Sequence, residues 1–222
     1  MGTNKSGSQV YLVDDDFAIR DSLSLFIEST GQSITCFESA EQFLQAYDRE
    51  QPGCLLLDVR MPVMSGLDLQ EVLLKRNIDI PIIFISGHAE VSDSAKAFRA
   101  GAVDFIEKPF DNFVLLERIE EAINKDIDAR AQHAEKLKLM QSIDQLTLRE
   151  KEILQLIVNN CSSKEVASML GISSRTVEVH RAHIMEKTHT DSITQLLLMV
   201  VRYDVLNQLA IYREPPNSDR SH

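Results

Sequence analysis

Cysteine is scarce in this sequence, and the three present, Cys36, Cys54 and Cys161, are odd in number, far apart and without a paired CxxC spacing. That pattern argues against a disulfide framework or a zinc site and for reduced side chains. Long apolar runs are also lacking: Leu196 to Val201 is too short to cross a bilayer, and Met1 to Gln9 has no apolar core of a secretion signal. The expectation is a cytoplasmic protein with no membrane partner. Glycine and proline are absent between Pro109 and Gly171, so neither breaks a helix that residues 126–142 would prolong. No excess of basic charge exists either. The net charge of -11 lies almost wholly in residues 1–125, with 21 acidic against 11 basic side chains, whereas residues 143–208 carry 8 against 7. An acidic half beside a nearly neutral one argues for two domains with different work.

The first half is organised around Leu55-Leu56-Leu57-Asp58, an apolar run bounded by Pro52-Gly53 and Met61-Pro62. Such a run reads as a strand buried on both faces of a parallel sheet. Similar runs occur at Val10 to Val13, Ser33 to Cys36, Pro81 to Ile85 and Val103 to Ile106, each followed by helical spacing. Between them Ser39 with Gln42 offers a capping box, and Leu67, Leu69, Val72, Leu73 and Leu74 give a third helix its apolar side. Five strands alternating with helices predict an α/β doubly wound, five-stranded parallel sheet of the flavodoxin-like kind. Ligands of such sheets lie outside the carboxyl ends of the strands, where Asp14 and Asp15, Asp58, Ser86 and Lys108 fall.

With Met61-Pro62, Gly66, Phe105 and Lys108-Pro109 at these spacings, residues 9–125 resemble the receiver domain of a two-component response regulator. The resemblance implies that Asp58 accepts a phosphoryl group from a sensor histidine kinase. It also implies that Asp15, Asp58 and the backbone carbonyl of Arg60 hold Mg2+ directly, with Asp14 acting through water. Three carboxylates about 4 Å apart would repel by on the order of 4 kcal/mol per pair at an effective dielectric near 20, so a cation is needed. An all-oxygen site with few protein ligands suits Mg2+. Lys108 and Ser86 would hold the phosphoryl oxygens, and Phe105 would turn inward with Ser86. Phe105 lacks the hydroxyl of the tyrosine often found there. A cis Lys108-Pro109 peptide is expected. Pairing of two receivers is expected on the face around Val91, Ala95, Arg99 and Val103.

Residues 126–142, rich in Ala, Lys, Glu and Leu, are expected to prolong the preceding helix as a lone semi-rigid linker of about 25 Å. A weak heptad seam of Ile123, Ile127, Ala134 and Leu137 is interrupted by Arg130. Thr147 with Glu150 then opens a helix, Ser162 or Ser163 a short one, and after Gly171, Ser173 or Ser174 a longer one. That is a helix-turn-helix, although periodicity also allows an ordinary four-helix bundle. The motifs Lys164-Glu165-Val166-Ala167, Leu170-Gly171-Ile172-Ser173 and Arg175-Thr176-Val177-Glu178-Val179-His180-Arg181 resemble the LuxR-type DNA-binding domain, here residues 143–208.

Both halves together resemble the NarL/FixJ family, nearest its FixJ-like members. In the second helix of the motif Val177 and Ile184 are expected to face the core. Arg175, Glu178, Val179 and Ala182 are expected to face bases in the major groove, since Arg reads guanine, Glu accepts from cytosine and apolar side chains touch thymine methyls. Lys164, Thr176, Arg181, His183 and Lys187 are expected phosphate contacts. Weak net charge implies two copies on paired half-sites of double-stranded DNA; the resemblance implies that a homodimer formed on phosphorylation, through the receiver face, supplies them. Residues 1–8 and 209–222 are expected to be a disordered amino terminus and a flexible tail. The reading is a phosphorylation-controlled transcription regulator, by resemblance an activator, with no second nucleophile and base to make it an enzyme of small molecules. Its rival is a phosphoryl sink or interaction module that no longer binds DNA.

Overall fold

A computed structural model describes residues 7–87 and 91–205, the side chains of Val91 and Ser92 excepted. The expectations for residues 1–6 and 209–222 lie outside the described residues. Ser8, expected in the disordered terminus, is instead buried, and its carbonyl accepts from Gln32 Nε2 at 2.9 Å. The chain divides into two compact units, Met1–Ala131 and Gln132–His222.

The first unit is built on strands β1 (Gln9–Val13), β2 (Ser33–Phe37), β3 (Gly53–Asp58), β4 (Ile82–Ser86) and β5 (Asp104–Glu107), all parallel in the order β2-β1-β3-β4-β5. Every residue of β3 is buried, as an apolar strand covered on both faces must be. Side chains alternate between faces with the period of two that a strand imposes. Tyr11, Val13, Leu55, Leu57 and Phe84 pack on the side of helices α2 (Ala40–Ala46) and α3 (Gly66–Lys75). Val10, Leu12, Leu56, Ile83 and Ile85 pack on the side of α1 (Phe17–Ser29) and the first turns of α5 (Asn112–Asp144). Helix α4 (Val91–Arg99) contributes Ala97 to the first of these cores. The order reverses between β1 and β3, which opens a crevice at their carboxyl ends.

Several boundaries and faces differ from the pattern in the sequence. Gly53 is the first residue of β3 rather than its boundary, and β5 is shifted one residue on from Val103–Ile106. In α3, Leu74 is 48% exposed while Gln70 is buried and donates to the Ala97 carbonyl at 3.1 Å. Five apolar positions in eight exceed what one face of a helix covers, and a buried amide with a partner is tolerated.

Helix α5 is one element of 33 residues, and its second half is not the lone connector its composition suggests. Asp126 is only 3% exposed and accepts from the Gly53 amide at 2.8 Å and from Arg130 Nε at 2.7 Å. Arg130 Nη1 also donates to the Arg49 carbonyl at 2.6 Å. Ile127 packs against the core that the sheet shares with α1 and the start of α5. Further on, Leu139 and Ile143 are buried in the core of the second unit. Two of the four seam residues are already used within the chain, Ile123 and Ile127 packing into the core of the first unit, while Ala134 and Leu137 are exposed.

The second unit adds α6 (Leu148–Val158), α7 (Ser163–Leu170), α8 (Ser174–Thr188) and α9 (Ile193–Arg202). Thr147 and Ser162 close capping boxes with Glu150 and Glu165, and Ser173 and Ser192 cap α8 and α9. Between α7 and α8 stands Gly171 at φ 64°, a left-handed conformation that glycine adopts without steric cost. Asn160 takes the same conformation, φ 64°, after α6, where asparagine is the best non-glycine substitute. Ile153, Leu154, Val166, Val177, Ile184, Leu196 and Val200 fill the core.

Candidate functional site

The strand ends bring two of the expected acids and the lysine together. Lys108 Nζ lies 2.8 Å from Asp14 Oδ2 and 2.9 Å from Asp58 Oδ1, with Asp14 1% and Asp58 8% exposed. Backbone groups fix both carboxylates: the Asp16 amide donates to Asp14 Oδ1 at 2.9 Å, and the Arg60 amide to Asp58 Oδ2 at 2.7 Å. Asp16 itself caps α1. Burial pushes the Asp14 carboxyl above its usual pKa despite the Lys108 and Asp16 hydrogen bonds. Burial also works against the Lys108 charge, but the two carboxylates outweigh it and raise its pKa.

Asp15 is exposed, and the expected cluster of three carboxylates is a looser arrangement. Among the described residues the group of three candidate ligands within 4.8 Å of one another is Glu150, His180 and His183, not Asp14, Asp15 and Asp58. Lys108 bridges Asp14 and Asp58 and offsets their charge, while Asp15 stands exposed outside that pair. The donor set of two held carboxylates and an exposed third still fits a hard divalent cation that keeps several waters, as Mg2+ does.

Ser86 is buried at the end of β4, and its carbonyl accepts from the Lys108 amide at 2.8 Å. The Lys108-Pro109 peptide is cis. Phe105 is half-buried and stacks on Phe84 with ring centroids 6.1 Å apart. Behind Asp58 the chain folds so closely that a Cβ on Gly66 would stand 2.2 Å from the Asp58 carbonyl oxygen, and only glycine fits. On the expected pairing face Ala95 is half-buried and Arg99 exposed, whereas Val103 packs against the core, and the Val91 side chain lies outside the described residues.

In the second unit α8 turns Val177, Ile184 and Thr188 inward. Arg175, Glu178, Val179 and Ala182 are exposed at the spacing of one helix face, and His183 and Lys164 are exposed as well. Thr176 is half-buried, its hydroxyl 2.8 Å from the Ser173 hydroxyl. Two more of the expected phosphate contacts have internal partners. Lys187 Nζ is 2.7 Å from Glu150 Oε2, which tethers α8 to the start of α6, so this lysine balances a buried carboxylate rather than standing free for phosphate. Burial would raise the Glu150 pKa, but Lys187 and Thr147 outweigh it and hold the carboxyl below its usual value. The Glu150–His180–His183 group therefore already contains its own cation. Arg181 Nη1 donates to Ser163 Oγ at 3.0 Å. Ser163 carries no signal in the sequence beyond a capping serine, and Asp126 none beyond a solvated acid.

Residues 10–120 match the family of response regulator receiver domains, and residues 144–200 match the bacterial regulatory proteins of the luxR family. The chain is 42% identical over 195 residues to the response regulator protein TodT of Pseudomonas putida, covering 88% of this chain and 86% of TodT. It is 35% identical over 198 residues to the transcriptional regulatory protein FixJ of Bradyrhizobium diazoefficiens, covering 89% and 97%. Among solved structures it resembles the response regulator StyR, with a TM-score of 0.77 at 38% identity over 89% of this chain and all of that one. Full-length FixJ from B. japonicum gives a TM-score of 0.55 at 33% identity over 90% and 98%. Among the described residues no helix is long and apolar enough to cross a membrane. The luxR match favours a DNA-binding regulator over a phosphoryl sink. The chain belongs to the NarL/FixJ family of response regulators, DNA-binding transcription regulators that join a receiver domain to a luxR-type helix-turn-helix.

Proposed function

We propose that Asp58 takes a phosphoryl group from a sensor histidine kinase in the cytoplasm, and that this pairs two chains so that two copies of α8 engage paired half-sites of double-stranded DNA. The observation that carries the reading is the Asp58 carboxylate held beside Lys108 at the switch point of the sheet. A carboxylate oxygen of Asp58 forms the new bond to phosphorus while the donor's bond to phosphorus breaks and the donor keeps the electron pair. Asp14, Asp15, Asp58 and the Arg60 carbonyl would hold Mg2+, which when bound neutralises charge on the transferring oxygens. Lys108 follows the charge from the carboxylates to the phosphoryl oxygens, and Ser86 donates its hydroxyl to one of them. Phe105, half-buried beside Phe84, moves inward behind Ser86 and alters the surface of α4 and β5, where Ala95 and Arg99 contribute to pairing.

On DNA, Arg175, Glu178, Val179 and Ala182 meet base edges, while Lys164, Thr176 and His183 meet phosphates. The residues 143–208 carry almost no net charge, so a single copy binds weakly and pairing supplies affinity. The test is binding of the full chain to duplex DNA with Mg2+, with and without a small phosphoryl donor, for wild type and Asp58→Asn. Binding tightens at least several-fold for the wild type alone. Equal tightening of Asp58→Asn would overturn the reading.

A further inference from the structure

The carboxylate of Glu178 is not a loose surface group. Ser163 Oγ, on the first residue of α7, donates to Glu178 Oε1 at 2.6 Å, and the same hydroxyl oxygen accepts from Arg181 Nη1 at 3.0 Å. Arg181 Nε lies 3.7 Å from Glu178 Oε2. The Glu178 side chain is nevertheless 60% exposed, against 26% for Arg181. A hydroxyl from the first helix of the motif and a guanidinium one turn along α8 thus hold an exposed acid in one place. Ser163 is not needed to cap α7, which Ser162 does.

We propose that Ser163, with Arg181, is a positioning residue that aims the Glu178 carboxylate at the major groove and so sets a preference for cytosine at one base pair of each half-site. The inference rests on the DNA-binding reading above and deepens it. An ionised carboxylate only accepts hydrogen bonds. In the major groove guanine and the thymine carbonyl present acceptors, which repel it. Adenine sets its N7 acceptor beside its N6 donor on its own edge, whereas the major-groove edge of cytosine itself carries the N4 donor and no acceptor. Freed from its tie, the same acid would swing among solvent-facing rotamers and lose its discrimination. The Arg181 guanidinium also offsets a negative charge that would otherwise face the phosphates. In this arrangement Arg181 acts on the base reader first and is not primarily a phosphate contact.

Binding-site selection from random duplex DNA tests this, using the full chain with Mg2+ and beryllofluoride, for wild type, Ser163→Ala and Glu178→Gln. Wild type enriches a motif in which one position per half-site prefers cytosine by about five- to tenfold, the low end for one side-chain contact. Ser163→Ala keeps the rest of the motif and its affinity for non-sequence-specific DNA, but the preference at that position falls severalfold. Glu178→Gln moves it towards adenine, whose N6 and N7 a glutamine amide pairs. A Ser163→Ala motif that keeps the full cytosine preference would show that the tie merely joins two helices, and a Glu178→Gln motif unchanged at that position would show that Glu178 reads no base; either would overturn the inference. A wild type that enriches no motif while still binding DNA would overturn sequence reading by this helix, and the inference with it. Unaltered far-ultraviolet dichroism of Ser163→Ala keeps the comparison free of misfolding.

Discussion

Replacing Asp126 by alanine should destabilise the receiver far more than its position in a polar stretch of helix suggests. Its side chain is 4% exposed and one oxygen accepts from both the buried Gly53 amide and Arg130 Nε. Alanine leaves the Gly53 N–H buried without that acceptor, at about 1–3 kcal/mol. Loss of the Arg130 pair adds about 1 kcal/mol, since Arg130 is 31% exposed and its interaction is screened. The sum, about 2–4 kcal/mol, corresponds to a fall of roughly 8–16 °C in the melting temperature of a domain this size. Asp126→Asn keeps one carbonyl acceptor and should lose on the order of 1 kcal/mol. Calorimetry of the full chain should resolve separate transitions for the two units, only the receiver's being shifted. A loss under about 1 kcal/mol for the alanine variant would refute the reasoning, because the carboxylate would then be neither buried nor needed by Gly53.

Gly66→Ala should lower receiver stability by at least about 1–3 kcal/mol, since its Cβ would overlap the Asp58 carbonyl and the backbone has to move. The same variant should accept a phosphoryl group from a small donor more slowly, measured as phosphoprotein formed against time. Chelation of divalent cations should abolish phosphoryl uptake by Asp58 and leave the circular dichroism of the chain unchanged; uptake at the wild-type rate in excess chelator would exclude the metal role. For Glu150, whose folded pKa is depressed, the stabilisation is present above the usual value of 4.5 and is lost as pH falls through the folded one. The melting temperature of the second unit should therefore drop more steeply in wild type than in Glu150→Gln as pH falls below 4.5.

What the sequence displayed well was whatever depends on neighbours along the chain. Apolar runs ending in an acid, a serine or a lysine located β1, β3, β4 and β5, Thr147 with Glu150 located the start of α6, and a capping serine located that of α7. The inward positions of α8, Val177 and Ile184, followed from helical spacing. What it hid was set by partners far away. Asp126 looks solvated until Gly53, 73 residues earlier, supplies a buried donor. Lys187 looks like a phosphate contact until Glu150, 37 residues earlier, accepts its charge. Leu139 and Ile143 lie off the heptad seam because the surface that covers them is a second core, not another helix. Ser163 and Glu178 meet only because a left-handed glycine folds α8 back across α7. At the proposed phosphorylation site the residues were legible, but not that Lys108 stands between Asp14 and Asp58.

The most direct test of the central claim is the molecular mass of the full chain in solution with Mg2+, before and after beryllofluoride, for wild type and Asp58→Asn. A wild-type monomer that becomes a dimer, beside an Asp58→Asn variant that stays monomeric, is the predicted result. A wild type whose mass does not change, or a variant that pairs just as readily, would contradict control of pairing through Asp58.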